Sequence, residues 1–128
     1  MPPHLSTAQL HALAQAAPGP SDCAACGTLN CPGWEALPGW FDDSALLTLG
    51  TLRDGSDEPT WEEHHPQGTR TDSPTAPIAP AYHPYNRSDV MACRACGRLF
   101  LHYTEAGGYY VERRVRAVDA ALVVTPPA

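Results

Sequence analysis

Five cysteines are the residues of this chain whose types and spacing could do chemistry, and four of them form two copies of one motif. The pattern C-x-x-C-G occurs at residues 23–27 and again at residues 93–97. Such a turn places two thiolates on one side of a tight bend, and its glycine permits the crowded or left-handed backbone that follows the second cysteine. Two such turns facing each other supply four sulfurs in tetrahedral directions, which is what Zn²⁺ takes in a closed structural site.

We predict that Cys23, Cys26, Cys93 and Cys96 bind a single metal ion. Zn²⁺ is favoured because it requires only four sulfurs in tetrahedral directions, and iron in the same geometry is the alternative metal. Disulfide bonds, and separate or dimer-bridging sites, are the other arrangements that this spacing allows. Cys31 is the fifth thiol. We predict that it is a small buried apolar side chain, with replacement of one ligand as the alternative.

The composition favours a loop-rich fold held together by such a site. The chain has 128 residues, enough for one domain, and 14 Pro with 10 Gly make up close to a fifth of it. This content disfavours long helices and large regular sheets, and a metal ion is a standard way to stabilise a small fold of this kind. Lys is absent and all eight basic residues are Arg, which indicates a GC-rich coding sequence rather than a functional demand for guanidinium groups.

The sequence carries no signal for a membrane or for secretion. No stretch approaches the ~18–20 apolar residues of a membrane span. Residues 1–4 lack the charged region and the apolar run of a signal peptide. We therefore expect a cytoplasmic protein without membrane contact, in a compartment where paired cysteines are more often metal ligands than disulfides.

Three segments surround the first motif and separate it from the second. An N-terminal helix is predicted within residues 1–18, capped by Ser6 or Thr7. Residues 44–53 have the composition of a strand. Residues 66–84 contain five prolines and are predicted to form an extended, polyproline-like crossover that returns the chain to the first motif.

Residues 85–117 are predicted to contain the second motif and a β-hairpin. Apolar and polar residues alternate on both sides of Gly107-Gly108, as in two strands joined by a glycine turn. A loop of about five residues sets the register of the two strands. The pairs expected on the buried face are Tyr103 with Tyr109 and Leu101 with Val111.

The repeated motif, with its second copy running directly into a predicted hairpin, resembles the zinc-ribbon and rubredoxin-like class of small metal-binding folds. The resemblance implies a small, loop-rich α+β fold in a single domain over residues 1–128, with zinc-ribbon-like antiparallel β-hairpins and the four cysteines as ligands. The spacing departs from that class, because 66 residues separate Cys26 from Cys93, where ribbons commonly have about 15–20. The longer loop adds only about 1 kcal/mol of closure entropy. Zinc binding supplies about 10–16 kcal/mol, so the insertion leaves the predicted site intact.

Two functions of a binding protein follow from these features. The first is a non-catalytic zinc protein with a structural four-cysteine site, whose aromatic and acidic surfaces dock on another protein. The second is a nucleic-acid-binding ribbon that stacks bases between cations on one face of the hairpin. The net charge of −6 disfavours the second, because phosphate contacts dominate such affinity. The candidate residues for that face are Arg98, Phe100, Tyr110, Arg114 and Arg116.

A third hypothesis, a zinc or redox enzyme, is disfavoured by two features, and we expect no catalysis. Residues 62–65, Glu-Glu-His-His, are the clustered candidates for a hydrolytic zinc site, and they lack the H-E-x-x-H order. A thioredoxin-type pair needs a strand before it and a helix at its first cysteine. Cys23 instead follows Pro-Gly-Pro-Ser-Asp, and Gly27 comes directly after the pair.

Overall fold

Helix α1 spans Thr7–Ala16 in the computed structural model, which describes residues 2–20, 22–106 and 109–125. Ser6, one of the two predicted capping residues, closes its N-terminus with a capping box. The Ser6 hydroxyl accepts a hydrogen bond from the Gln9 N–H (3.1 Å), and the Gln9 side chain accepts one from the Ser6 N–H (2.7 Å). The two reciprocal bonds satisfy donors that a helix end leaves free. Helix α1 ends at Ala16 before a Pro-Gly-Pro segment and buries Leu10 and Ala14.

A five-stranded antiparallel sheet forms the centre of the molecule. The strands are β1 (Glu35–Ala36), β2 (Leu46–Thr51), β3 (Asp89–Cys93), β4 (Leu99–Ala106) and β5 (Val111–Ala117). They lie in the order β1-β5-β4-β3-β2. Short 3-10 helices precede β2 (Asp43–Ala45), precede β3 (Tyr85–Arg87) and follow β5 (Ala120–Leu122). The coarse expectation of a small α+β fold is therefore confirmed.

Both faces of the sheet are covered, and each carries its own hydrophobic cluster. One cluster, on the face that we call the helix face, joins side chains of α1 to Leu101 and Tyr103 of β4. The other, on the face that we call the metal face, joins Cys26 and Cys93 to Phe100 and other apolar residues. The sequence of a central strand that is buried on both faces is a continuous run of apolar residues rather than an alternation of apolar and polar ones. This corrects the expectation that the Phe100 side of the hairpin faces solvent.

The register of the β4–β5 hairpin differs from the predicted one. Tyr103 pairs with Arg114, Leu101 pairs with Arg116, and the last pair is Ala106 with Val111. The prediction was wrong because β4 continues to Ala106, so that the connection is shorter and every cross-strand partner moves. Gly107 and Gly108, the predicted glycine turn, lie outside the described residues. Tyr109 and Val111, predicted to be buried, are exposed.

Residues 66–84 form a series of turns rather than one extended polyproline-like crossover. Backbone hydrogen bonds that close such turns include Gly68 N–H to His65 O (3.0 Å) and Ala76 N–H to Ser73 O (3.1 Å). The segment is also part of the core, because Ile78 is fully buried on the helix face and bridges Val123. A buried segment must have its polar backbone groups satisfied, and turns do this where an extended chain does not.

A buried arginine fastens this segment to the sheet. Arg116 of β5 is completely inaccessible to solvent. Its guanidinium donates to the carbonyl oxygens of Ala76 (2.8 Å), Pro74 (3.3 Å) and Pro32 (3.2 Å), and to the Tyr85 hydroxyl. A guanidinium stays charged in proteins, so these oxygens take the place of the water that it has lost.

The part of the chain that the structure describes contains no helix with the length and apolar character needed to cross a bilayer.

Candidate metal centre

The four sulfurs predicted to bind metal lie together, although they come from motifs that are far apart in the sequence. The ligand atoms of Cys23, Cys26, Cys93 and Cys96 all lie within 4.8 Å of one another. The Sγ atoms of Cys23 and Cys93 are 3.8 Å apart, and those of Cys26 and Cys96 are 3.5 Å apart. A tetrahedron with Zn–S bonds of about 2.3 Å has sulfur–sulfur edges of about 3.8 Å. The prediction that the two motifs face each other is confirmed.

Each motif builds the same tight turn from its own backbone. The Gly27 N–H donates to the Cys23 carbonyl oxygen (2.7 Å), and the Gly97 N–H donates to the Cys93 carbonyl oxygen (2.8 Å). Gly97 has a φ of +85°, which favours glycine. A Cβ placed on Gly27 would lie 2.5 Å from the Cys23 carbonyl oxygen. The two glycines thus meet the two requirements that the sequence suggested, a left-handed backbone and a close approach.

The sheet positions the second motif, and the first motif packs against it from loops. Cys93 is the last residue of β3, and β4 begins at Leu99, so the second motif is the turn of a β-hairpin. The first motif has no flanking strand, since residues 24–28 are a turn and β1 begins only at Glu35. Its position therefore depends on contacts across the site.

Apolar side chains of the metal face enclose the inner half of the site. Cys26 and Cys93 are buried among Phe41, Phe100 and Val115, whereas Cys23 and Cys96 are partly exposed. Of the aromatic residues that follow Cys31, Phe41 packs at the metal site, Trp34 packs on the helix face against Tyr85 and Tyr103, and Trp40 is exposed.

Arg98 fastens the loop after the first motif to the second motif. It directly follows Gly97, is 4% exposed, and donates to the carbonyl oxygens of Leu29 (2.7 Å) and Asn30 (3.0 Å). Its guanidinium also lies over the Phe100 ring at 4.9 Å. Sequence analysis missed this role, because an arginine at the start of an alternating strand is typical of a solvent-facing residue.

The protonation of the thiols follows from their surroundings. Backbone N–H groups of Cys26 and Ala25 lower the pKa of Cys23 to about 7, because they stabilise the thiolate. Burial, followed by the neighbouring cysteines, raises the pKa of Cys26. Four thiolates this close repel one another, and a divalent cation among them would offset that repulsion.

Cys31 lies outside the four-sulfur cluster. It is buried among the apolar residues of the metal face, and burial raises its pKa to about 11. Its carbonyl oxygen accepts a hydrogen bond from the Ala117 N–H (2.9 Å), which ties the loop to β5. These contacts agree with the prediction of a buried apolar side chain, and they leave Cys31 out of the candidate ligand set.

The five residues predicted to bind nucleic acid do not form one exposed face. Arg98, Phe100 and Arg116 are buried, and both arginines donate hydrogen bonds to backbone carbonyl oxygens. Arg114 is partly buried and forms ion pairs with Glu105 (3.1 Å) and Glu112 (3.0 Å). Tyr110 alone is exposed. The prediction was wrong for the three buried residues because both faces of β4 and the end of β5 are covered.

No second cluster of three His, Cys, Asp or Glu side chains close enough to share an ion occurs among the described residues. His65 instead takes part in local hydrogen bonds, with Glu63 Oε1 (2.8 Å) and Thr69 Oγ1 (2.7 Å), and the His64 ring lies beside Tyr82. These contacts lie within a loop and hold its side chains in place.

Comparisons with known proteins give no family for this chain. No protein-family profile matches it, no curated protein matches it significantly in sequence, and no solved structure matches it significantly in fold. The functional argument therefore starts from the four cysteines alone.

Proposed function

We propose that this protein is a non-catalytic zinc protein of the zinc-ribbon type, in which Cys23, Cys26, Cys93 and Cys96 hold one structural Zn²⁺. The observation that carries the proposal is the convergence of four sulfurs within 4.8 Å from motifs 70 residues apart. Four thiolates form the ligand set of closed structural zinc sites, which leave no position for a substrate. Iron would accept the same ligands.

Zinc in this position would supply folding energy. It would join the β3–β4 hairpin to a loop that has no strand of its own, and the apolar cluster of the metal face includes two of its ligands. Structural zinc sites of this kind have apparent binding energies of about 10–16 kcal/mol, similar to the whole stability of a small domain, about 5–15 kcal/mol. The protein without metal is therefore expected to be unfolded or aggregated.

The experiment that tests the site measures metal per chain and free thiols in denaturant. One zinc per chain is expected in the wild-type protein, and Cys93→Ser should lose it and unfold. Cys31→Ala is the matched control, because it removes a buried cysteine of the same cluster that lies outside the ligand set. A folded Cys93→Ser protein that still binds one metal tightly would show that the ligand assignment is wrong.

We further propose that the protein docks on another protein through an exposed aromatic patch, defined as Trp40, Tyr109, Tyr110 and Val111. All four side chains are exposed. The turn that carries Trp40 lies between Leu37, whose N–H donates to the Arg113 carbonyl oxygen (2.8 Å), and Asp43, which forms an ion pair with Arg113 (2.8 Å). Trp40 is thus held beside the same end of β5 as Val111. Exposed Trp and Tyr side chains are typical of binding surfaces.

A pull-down from the native cell tests this second proposal. A protein retained by the wild type should be lost with the double variant Trp40→Ser, Tyr110→Ser. It should be kept with Trp61→Ser, since Trp61 is equally exposed but packs against Arg87 and His83 in another segment. Equal retention by all three proteins would remove the aromatic patch as the docking surface.

A further inference from the structure

A groove opens beside the metal centre, between the C-terminal end of α1 and the 3-10 helix Ala120–Leu122. Its volume is about 470 Å³, within the usual range for small-molecule sites. Residues 17–20 form one wall, residues 117–120 form another, and Pro32 and Pro74 complete it. The surface is mainly Ala, Pro and Val side chains, so it suits the apolar body of a ligand.

Arg98 is the positive charge on the wall of this groove. Two of the five N–H donors of its guanidinium are used, by the carbonyl oxygens of Leu29 and Asn30. Among residues 2–20, 22–106 and 109–125, no carboxylate lies within 4.0 Å of it in an ion pair. Carbonyl oxygens are dipoles and leave the net charge in place, so the wall carries a buried cation without a counter-ion.

The acidic residue of the groove wall does not supply that counter-ion. Asp119 lines the groove, but its carboxylate accepts a hydrogen bond from the Ala121 N–H (2.9 Å) and caps the 3-10 helix. The remaining polar residues that line it, Gln15 and Asn30, are neutral. A bound anion would therefore meet one cation, Arg98, and one carboxylate, that of Asp119, which is already hydrogen-bonded to the backbone of its own 3-10 helix.

We infer that this groove binds a small monocarboxylic acid with an apolar body, whose carboxylate takes free N–H donors of Arg98. A guanidinium matches the planar carboxylate and can give it two parallel hydrogen bonds. The apolar walls remove the rest of the ligand from water. The binding of dianions is disfavoured, because the groove offers one cation in a chain whose net charge is −6.

The test is an NMR titration of the zinc-loaded protein with 3-phenylpropanoate, and with 3-phenylpropanamide as the neutral probe of matched shape. The acid should give saturable shifts of backbone amides in residues 98 and 117–120. The amide should bind about tenfold to a hundredfold more weakly, because it loses a charged hydrogen bond. No saturable shift, shifts elsewhere, or equal affinities for acid and amide would overturn the proposal.

A pair of neighbouring variants locates the binding site without disturbing Arg98, whose removal could unfold the protein. Gln15→Trp adds a large side chain on the groove wall, whereas Ala16→Trp places the same side chain on the next exposed residue of α1, outside the lining. Gln15→Trp should weaken binding of the acid about tenfold or more, and Ala16→Trp should leave it unchanged. Equal effects of the two variants would refute the location. The metal content of each sample, measured separately, keeps this test independent of the zinc proposal.

Discussion

Replacing Arg116 with Met is expected to lower the free energy of unfolding by about 3–5 kcal/mol, because buried oxygen atoms lose their hydrogen bonds to a charged donor. Arg116 is fully buried, and its guanidinium joins β5 to the carbonyl oxygens of Pro32 and Ala76 and to the Tyr85 hydroxyl. Met is unbranched and apolar but has no donor. The packing is therefore largely kept, while buried acceptors from three separate segments lose their partner.

The magnitude follows from the hydrogen bonds that break. Each bond to a charged group contributes about 1.5–3 kcal/mol, and the two that are buried are those to the Ala76 oxygen (2.8 Å) and to the Tyr85 hydroxyl. The bonds to Pro32 (3.2 Å) and Pro74 (3.3 Å) are longer and add less. Two strong bonds give about 3–6 kcal/mol. The wild type loses part of this to desolvation of the guanidinium, which Met avoids.

The assay is urea unfolding of the zinc-loaded protein, followed by tryptophan fluorescence and circular dichroism. Arg114→Met is the matched control, because Arg114 lies two residues away on β5 and pairs with Glu105 and Glu112 in a partly exposed position. Its loss is expected to cost less than about 1 kcal/mol. If Arg116→Met changed the stability no more than Arg114→Met, the reasoning about a buried guanidinium would be refuted.

Three further outcomes are expected from the same zinc-loaded protein. Gly97→Ala should lower the free energy of unfolding in urea by about 1–2 kcal/mol, because the φ of Gly97, +85°, is left-handed. Gly19→Ala is the control, since Gly19 has open space around it, and it should leave the free energy of unfolding unchanged. Equal effects of the two variants would contradict the argument from backbone strain. Burial, followed by the charge of Arg113, lowers the pKa of His102 in the folded protein. As the pH falls, His102 is therefore protonated in the unfolded chain before it is protonated in the folded protein. The stability associated with His102 is thus present above its ordinary pKa of about 6.5 and is lost as the pH falls through the lower folded value. When the free energy of unfolding is measured against pH, it should fall less steeply below about pH 6.5 in His102→Gln than in the wild type. Equal slopes for the two proteins would contradict this expectation. Ser6→Ala should cost about 1 kcal/mol through the lost cap, and a midpoint unchanged from wild type would show that the helix end is not needed.

The metal ligands could be predicted from the sequence because their geometry is local. A C-x-x-C-G turn sets the positions of its two sulfurs and its glycine within five residues. Because the chain has two copies of this turn, the sequence predicts that their four sulfurs share one metal ion. The first turn of α1 is local in the same sense, since Ser6 and Gln9 complete their capping box within one turn. Neither feature needs information about a distant part of the chain, and both have the form that the sequence indicates.

The role of the arginines was decided only by the tertiary structure. Alternation along a strand predicts which residues share a face but not whether a second layer covers that face. Here the loop after the first motif covers one face of β4, and residues 74–85 cover the other. Arg98 and Arg116 are buried because those segments bring carbonyl oxygens to them. These carbonyl oxygens lie 40 or more residues away in the sequence, and no short-range pattern encodes them.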